Sequence, residues 1–379
     1  MRLLILSCNT GEGHNSCAKA VSEYTLKQGD SCDIVDSLSF ISERTSRFIS
    51  NGHSRIYRYA PSAFSHGYSF AERHGNFFAE DSSVYKLLTS GTEELYTFLH
   101  EKDYDAILCT HVFSALQLTH LLRYYSIKAA SFFAATDYTC SPGCGQSKLD
   151  KYFIPDASLA DEFVSCGVPA NKLIPSGIPV RQMFYERGKK ADAKLHWGIK
   201  PEHRHLLIMC GSMGCGPMEE ITEALSGQMP DNCAVSVVCG NNQKLYRKMT
   251  KAFSSDSRIH ILGYVKDMSS LMDSADLYLT KPGGISVSEA AAKGLPMVFV
   301  NAVAGCESYN LRFFEGLGAA VSGETPLQLT EMCLRILNDE RKLEEMSSAL
   351  NGFKTRNAAQ IMYESMMTGL TTDEITTCS

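Results

Sequence analysis

The feature that most restricts the fold is a recurring unit: a short unbroken apolar run, a turn, then a segment of helical character. Residues 3–6 form the first run, followed by the turn Thr10-Gly11-Glu12-Gly13-His14-Asn15 and a helix expected from about residue 15 to 27. Residues 106–109, 131–134 and 152–154 continue the series, which restarts at 206–210, 235–239, 260–262, 277–279 and 297–300. A run without polar alternation has no face to offer water. It fits a strand covered on both sides, and such strands alternating with helices predict parallel sheets. Two successive sets predict an α/β protein of two doubly wound domains.

The length agrees, because 379 residues exceed what one hydrophobic core usually serves. The boundary is expected near Ile178-Pro179-Val180-Arg181. This gives a first domain of residues 1–180, a second of 181–355, and a terminal segment 356–379 whose helix (about 356–367) packs back on the first. Pro175-Ser176-Gly177 and the polar stretch 189–194 read as the crossing linker.

Charge and cysteine usage exclude several classes. A net charge of −6 gives no global attraction to nucleic acid. The 14 cysteines are scattered, several inside apolar runs, and no second pair stands at zinc-finger distance from Cys140 and Cys144. Reduced thiols and no metal are expected. The first apolar run is too short for a signal-peptide core, and no run approaches the roughly 18 residues of a membrane span. The expected location is cytoplasmic, at most on a membrane surface.

In doubly wound sheets, ligands sit beyond the carboxyl ends of strands, where helix starts present free amides. Four turns qualify. In the first, Gly11 and Gly13 let backbone approach a ligand, and His14 stands at a helix start, where the dipole favours neutral imidazole. A neutral imidazole suits a general base; a helix-capping role is the alternative. The second, Cys210-Gly211-Ser212-Met213-Gly214-Cys215-Gly216-Pro217, opens the second domain and suits a diphosphate, though it is neither G-x-G-x-x-G nor Walker A. The third is Thr280-Lys281-Pro282-Gly283-Gly284-Ile285-Ser286-Val287-Ser288-Glu289. There Ser286 and Glu289 read as a capping box, or Glu289 on the first turn accepts from two ribose hydroxyls. The fourth, residues 301–310, is polar and lies beside the third.

From Lys281 to Asn310 the sequence resembles the donor-binding segment of the glycosyltransferase family that contains the peptidoglycan GlcNAc transferase and the diacylglycerol glycosyltransferases. Gly283-Gly284-x-Ser286-x-x-Glu289, Gly294-Leu295-Pro296, Gly305-x-Glu307 and Asn310 carry the likeness. Gly11-x-Gly13-His14-x-x-x-Ala18 and Thr136-Asp137-Tyr138-Thr139-Cys140 are similar to the diacylglycerol branch. The resemblance implies two Rossmann-like domains facing across a cleft (the GT-B arrangement). It also implies inverting transfer of a hexose from UDP-glucose or UDP-galactose to diacylglycerol. A UDP-GlcNAc-dependent transferase acting on a polyprenyl-linked acceptor and a UDP-sugar epimerase are the alternatives.

The roles implied are His14 or Asp137 as base, Glu289 on the ribose, and Gly211, Ser212, Gly283, Gly284 and Ser286 near the diphosphate. The Tyr264-Val265 backbone lies beside uracil, and Cys306, Glu307 and Asn310 lie on the sugar side. No metal or other cofactor is implied, because helix starts and turn amides stabilise the departing diphosphate. Two departures stand out. Ala304-Gly305-Cys306-Glu307 replaces a common Pro-Gly-Gln-Glu, and a thiol hydrogen-bonds poorly, so sugar preference is expected to differ. Ser141-Pro142-Gly143 stands where many members have a histidine and aromatics.

A lipid acceptor requires reach to a membrane. In residues 43–78, Arg44, Arg47, Arg55, Arg58 and Arg73 against Glu43 and Glu72 leave a local charge of +3 (five minus two), interleaved with aromatics. This suits an anionic bilayer surface; a solvated helix with a core face is the plainer reading.

Overall fold

The computed structural model describes residues 1–9, 12–47, 52, 77–211, 214, 216–300 and 305–377. The chain divides into two compact units, one built on Met1–Gln182 with Asn357–Ser379, the other on Met183–Ala302 with Glu307–Arg356.

The first unit holds six strands: β1 (Arg2–Ser7), β2 (Ser31–Asp36), β3 (Ala106–Cys109), β4 (Ala130–Ala134), β5 (Lys151–Ile154) and β6 (Leu173–Pro175). Their order is β2-β1-β3-β4-β5-β6, and every pairing is parallel. The register sets Ile5 of β1 between Ile34 and Leu108. Leu3, Leu4, Ile5 and Leu6 are wholly buried, each contributing roughly 1.5–3 kcal/mol relative to exposure. The helices that position the site are α1 (Glu12–Lys27), α2 (Thr92–Lys102) and α3 (Val112–Tyr124). Leu95 and Leu99 of α2 and Ala115, Leu118 and Leu121 of α3 close the core over Leu4, Leu6, Ile107 and Phe133.

The second unit repeats the plan with β7 (Arg204–Met209), β8 (Cys233–Val238), β9 (Ile259–Leu262), β10 (Leu277–Thr280), β11 (Met297–Val300) and β12 (Ala320–Gly323). The order β12-β11-β10-β7-β8-β9 is again all parallel. Around it run α4 (Met218–Gln228), α5 (Gln243–Ala252), α6 (Met268–Ser274), α7 (Gly284–Lys293), α8 (Cys306–Gly316) and α9 (Pro326–Leu337). Two Rossmann-like sheets flanked by helices are what the apolar runs predict.

Three strands, β2, β6 and β12, fall outside those runs, and all three are sheet edges. Edge strands are covered less, so Ser31-Cys32-Asp33-Ile34-Val35-Asp36 mixes polar and apolar residues and is mostly half-buried. The stretch 189–194 is not a linker. Residues Lys190–His196 form a helix, because Lys194 is drawn inside by Asp276, with Nζ 2.9 Å from Oδ2. The same carboxylate takes Lys190 at 2.8 Å and the His205 amide at 2.9 Å. Burial pushes the Asp276 carboxyl up, but the two ammonium groups outweigh it and hold it below the usual range. The last helix, α10 (Ala358–Thr377), starts two residues later and runs longer than expected. Its Tyr363 hydroxyl donates to Asp30 (2.7 Å), which also binds the amino terminus, so α10 is tied to α1 and β2 within the first unit.

Candidate active site

In the first unit the candidate base sits where the strand order reverses, between β1 and β3. The α1 helix begins at Glu12, three residues before the expected start, which makes His14 its third residue. The turn is pinned by side chains: Ser7 Oγ donates to Asn15, Asn15 donates to Asn9, and Asn9 donates to Asp36. His14 Nδ1 lies 2.8 Å from the Thr110 carbonyl oxygen, just past β3, and 3.1 Å from Thr136 Oγ1, past β4. A carbonyl only accepts, so Nδ1 carries the proton and Nε2 is the basic nitrogen. Three strand ends thus fix one tautomer of a half-buried imidazole.

Asp137 follows Thr136 directly and is half-buried. The chain beyond it is anchored by Glu162, whose carboxylate accepts from the Thr139 hydroxyl and from the Cys140 amide at 2.8 Å. Sequence reasoning missed Glu162, and no local signal marks it, because the contact joins residues 22 apart. It also missed His111, the N-cap of α3. The His111 ring stands edge-on to His14 with centroids 4.4 Å apart, and its Nδ1 accepts from the Phe113 amide. A histidine directly after an apolar strand was the available signal. Gly13 lies within the first turn of α1, while Gly11 is outside the described residues.

In the second unit, the turn after β7 requires glycine. Gly214 has φ +56°, and a Cβ there would stand 2.3 Å from the Cys239 carbonyl oxygen. Asn242 binds the Gly214 carbonyl at 3.0 Å while capping α5 through the Leu245 amide, so the turn is locked to the end of β8. Gly211 opens the turn with φ +75°; Ser212 lies outside the described residues. Tyr264 and Val265 follow β9 at the same sheet edge, with Tyr264 exposed.

The third turn corrects the capping-box expectation. Gly283, extended at φ −77° and ψ 133°, is the N-cap of α7 and offers no side chain. Ser286 is therefore the third helical residue, and Glu289 is the sixth, on the second turn. The described capping box is at Thr325 and Gln328 of α9. Gly284 is buried, whereas Ser286 and Glu289 are half-buried.

Beside this turn, Lys281 Nζ lies 3.6 Å from Glu307 Oε1, with side chains only 10% and 7% exposed. Asn310, wholly buried, donates from Nδ2 to the Pro282 carbonyl at 2.9 Å. Glu307 and Asn310 thus tie the start of α8 to the 281–283 turn, and Cys306, half-exposed, is the first residue of α8. Lys281 is a buried cation that the sequence reading quoted without a role.

Of the segment at 43–78, Arg44 and Arg47 are described and exposed, and Arg47 pairs with Glu43 at 3.0 Å. Phe78 is buried against Leu38, Tyr85 and Leu116. Arg55, Arg58 and Arg73 lie outside the described residues. Among the described residues, no helix is long and apolar enough to cross a membrane.

Residues 14–180 match the family model for monogalactosyldiacylglycerol synthase. Residues 205–362 match that for the glycosyltransferase family 28 C-terminal domain. The chain is 25% identical over 374 residues to the processive diacylglycerol beta-glucosyltransferase of Bacillus subtilis, covering 97% of this chain and 94% of that protein. It is 27% identical over 300 residues to the enzyme of the same name from Staphylococcus epidermidis, covering 78% and 75%.

Among solved structures it resembles MurG of Acinetobacter baumannii (TM-score 0.64, 16% identity, 97% of this chain and 99% of that one). It also resembles a UDP complex of Staphylococcus aureus MnaA (TM-score 0.62, 14% identity, 95% and 94%). Those structural likenesses carry the GT-B fold, and the two family models together span both units. The chain belongs to the family 28 glycosyltransferases, in the branch that joins a monogalactosyldiacylglycerol synthase domain to the family's carboxy-terminal domain.

Proposed function

We propose that this protein is an inverting hexosyltransferase that moves a hexose from a UDP-sugar to diacylglycerol. The observation that supports this most is the His14 tautomer: Nδ1–H held by the Thr110 carbonyl makes Nε2 the proton acceptor. In the reaction the acceptor hydroxyl attacks the anomeric carbon and gives its proton to Nε2. The bond from that carbon to the diphosphate oxygen breaks, and its electron pair leaves with UDP. A positioned base of this kind contributes about 10²–10⁴-fold. Asp137, beside the Thr136 that touches His14, is the second candidate.

The donor roles follow the turns of the second unit. Gly211, Ser212, Gly283, Gly284 and Ser286 lie along the diphosphate, where amides at the start of α7 stabilise the leaving group. Glu289 takes the ribose hydroxyls, and the Tyr264-Val265 backbone lies beside uracil. Glu307 and Asn310 act by holding the 281–283 turn, and Cys306 faces the sugar. No metal is needed. The names of the curated relatives make UDP-glucose the first donor to test. The exposed Arg44 and Arg47 support contact of the 43–78 segment with an anionic membrane on its cytoplasmic face.

The test is UDP release from UDP-glucose and UDP-galactose, with and without diacylglycerol in vesicles. Lipid-dependent release with a glycosylated lipid product is expected, and isomerised UDP-sugar without acceptor would replace this reading with an epimerase. His14→Ala should lower turnover by about 10²-fold or more while leaving UDP affinity intact; near-full activity moves the base to Asp137. Vesicles with and without phosphatidylglycerol test the membrane contact by co-sedimentation.

A further inference from the structure

The alternation of β10 sends Leu277 and Leu279 into one core, against Leu206, Ile208, Val298 and Val300. Tyr278 and Thr280 therefore point to the opposite face of the sheet. Tyr278 is 0% exposed, yet its hydroxyl makes no hydrogen bond. Thr280, Ser286 and Glu289 stand around it, the two hydroxyls short of bonding geometry. The Thr280 hydroxyl is itself directed to the Lys281 carbonyl. Burial, aided by the Glu289 charge, pushes the phenol pKa up, so the group stays a donor. A phenylalanine would fill the same volume without burying a polar atom, and an unpartnered buried hydroxyl is a standing cost. A hydroxyl kept at such a place points to a partner gained in a working state.

We propose that Tyr278 is a positioning residue for the donor: when Glu289 takes up the ribose, the Tyr278 hydroxyl donates to the Glu289 carboxylate and holds both oxygens in the plane of the two ribose hydroxyls. Tyr278 does not touch the ligand. It acts from beneath, through α7. This inference rests on the proposed ribose role of Glu289.

The experiment compares wild type, Tyr278→Phe and Glu289→Ala for melting temperature without ligand and for calorimetric affinity toward UDP and 2′,3′-dideoxyuridine diphosphate. Tyr278→Phe should melt at the same temperature or higher, bind UDP about tenfold more weakly, and bind the dideoxy analogue as wild type does. In turnover the change should appear in the KM for the UDP-sugar, with kcat nearly unchanged. If Tyr278→Phe binds UDP within about twofold of wild type while Glu289→Ala does not, the inference falls and the ribose reading stands. If Glu289→Ala binds UDP normally, the ribose reading falls and the inference with it. A Tyr278→Phe protein that loses melting temperature, and loses affinity for both ligands alike, shows a structural hydroxyl and overturns the inference too.

Discussion

His205 offers a direct test of how the second unit is held together. It lies on β7 with 0% exposure, its Nε2 2.9 Å from Ser236 Oγ and its Nδ1 3.1 Å from Ser274 Oγ. Neutral imidazole satisfies both hydroxyls, donating to one and accepting from the other. Burial pushes its pKa from the ordinary 6.5 down to about 4, against the Ser274 hydrogen bond and the Asp276 charge. Between those values the unfolded chain binds a proton that the folded one refuses, so stability falls as pH falls. The contribution is fully present above the unfolded value, drains away below it, and levels off once pH passes the folded value. Integrating across that window gives a loss of roughly 2 kcal/mol between about pH 7.5 and pH 5, and about 3 kcal/mol by pH 4.

The assay uses the single tryptophan. Trp197 lies in the second unit, with Nε1 3.2 Å from Ser270 Oγ, so its fluorescence reports urea unfolding of that unit. Wild type and His205→Asn are compared at the two pH values. The wild type should lose about 2 kcal/mol more than the variant on acidification, because the carboxylates common to both cancel in the difference. Equal losses in the two proteins would refute the reasoning.

Three further outcomes are expected. Gly214→Ala forces a Cβ against the Cys239 carbonyl at positive φ, so it should cost about 2 kcal/mol or more by the same unfolding assay and weaken UDP binding. Unchanged stability and affinity would mean that the turn relaxes freely. Glu307→Gln leaves Lys281 with a poorer buried partner and should cost about 2 kcal/mol, the low end for a buried pair because the ions stand apart and are not fully enclosed; a neutral effect would show the pair to be dispensable. Transfer activity should persist after chelation by excess EDTA, and a loss restored by a divalent cation would remove the metal-free mechanism.

What a local signal can carry was legible in the residues. Nine of the strands are continuous apolar runs, because parallel strands covered on both faces leave no position for a polar side chain. The turns that follow them announce themselves by glycine, and Gly214 shows the reason: both its φ and the nearness of Cys239 exclude a side chain. The edge strands β2, β6 and β12 were hidden because half-burial permits mixed composition. The 190–196 helix was hidden because its charged lysines are matched by Asp276, more than 80 residues away. Helix register was also beyond local pattern. Ser286 and Glu289 have capping-box spacing, but Gly283 already starts the helix and moves both inward.

By itself, then, the sequence determined two parallel α/β domains, the glycine turns at their strand ends, and His14 at the head of a helix. Only the tertiary structure decided which imidazole nitrogen is basic, because the deciding acceptor is a backbone carbonyl 96 residues away that no side chain encodes. It likewise decided that Glu307 and Asn310 hold a turn, and that Tyr278 buries an unpaired hydroxyl beneath Glu289. Such facts depend on which groups meet when two strands lie side by side, and the pairing of distant strands is set by the packing of the whole core.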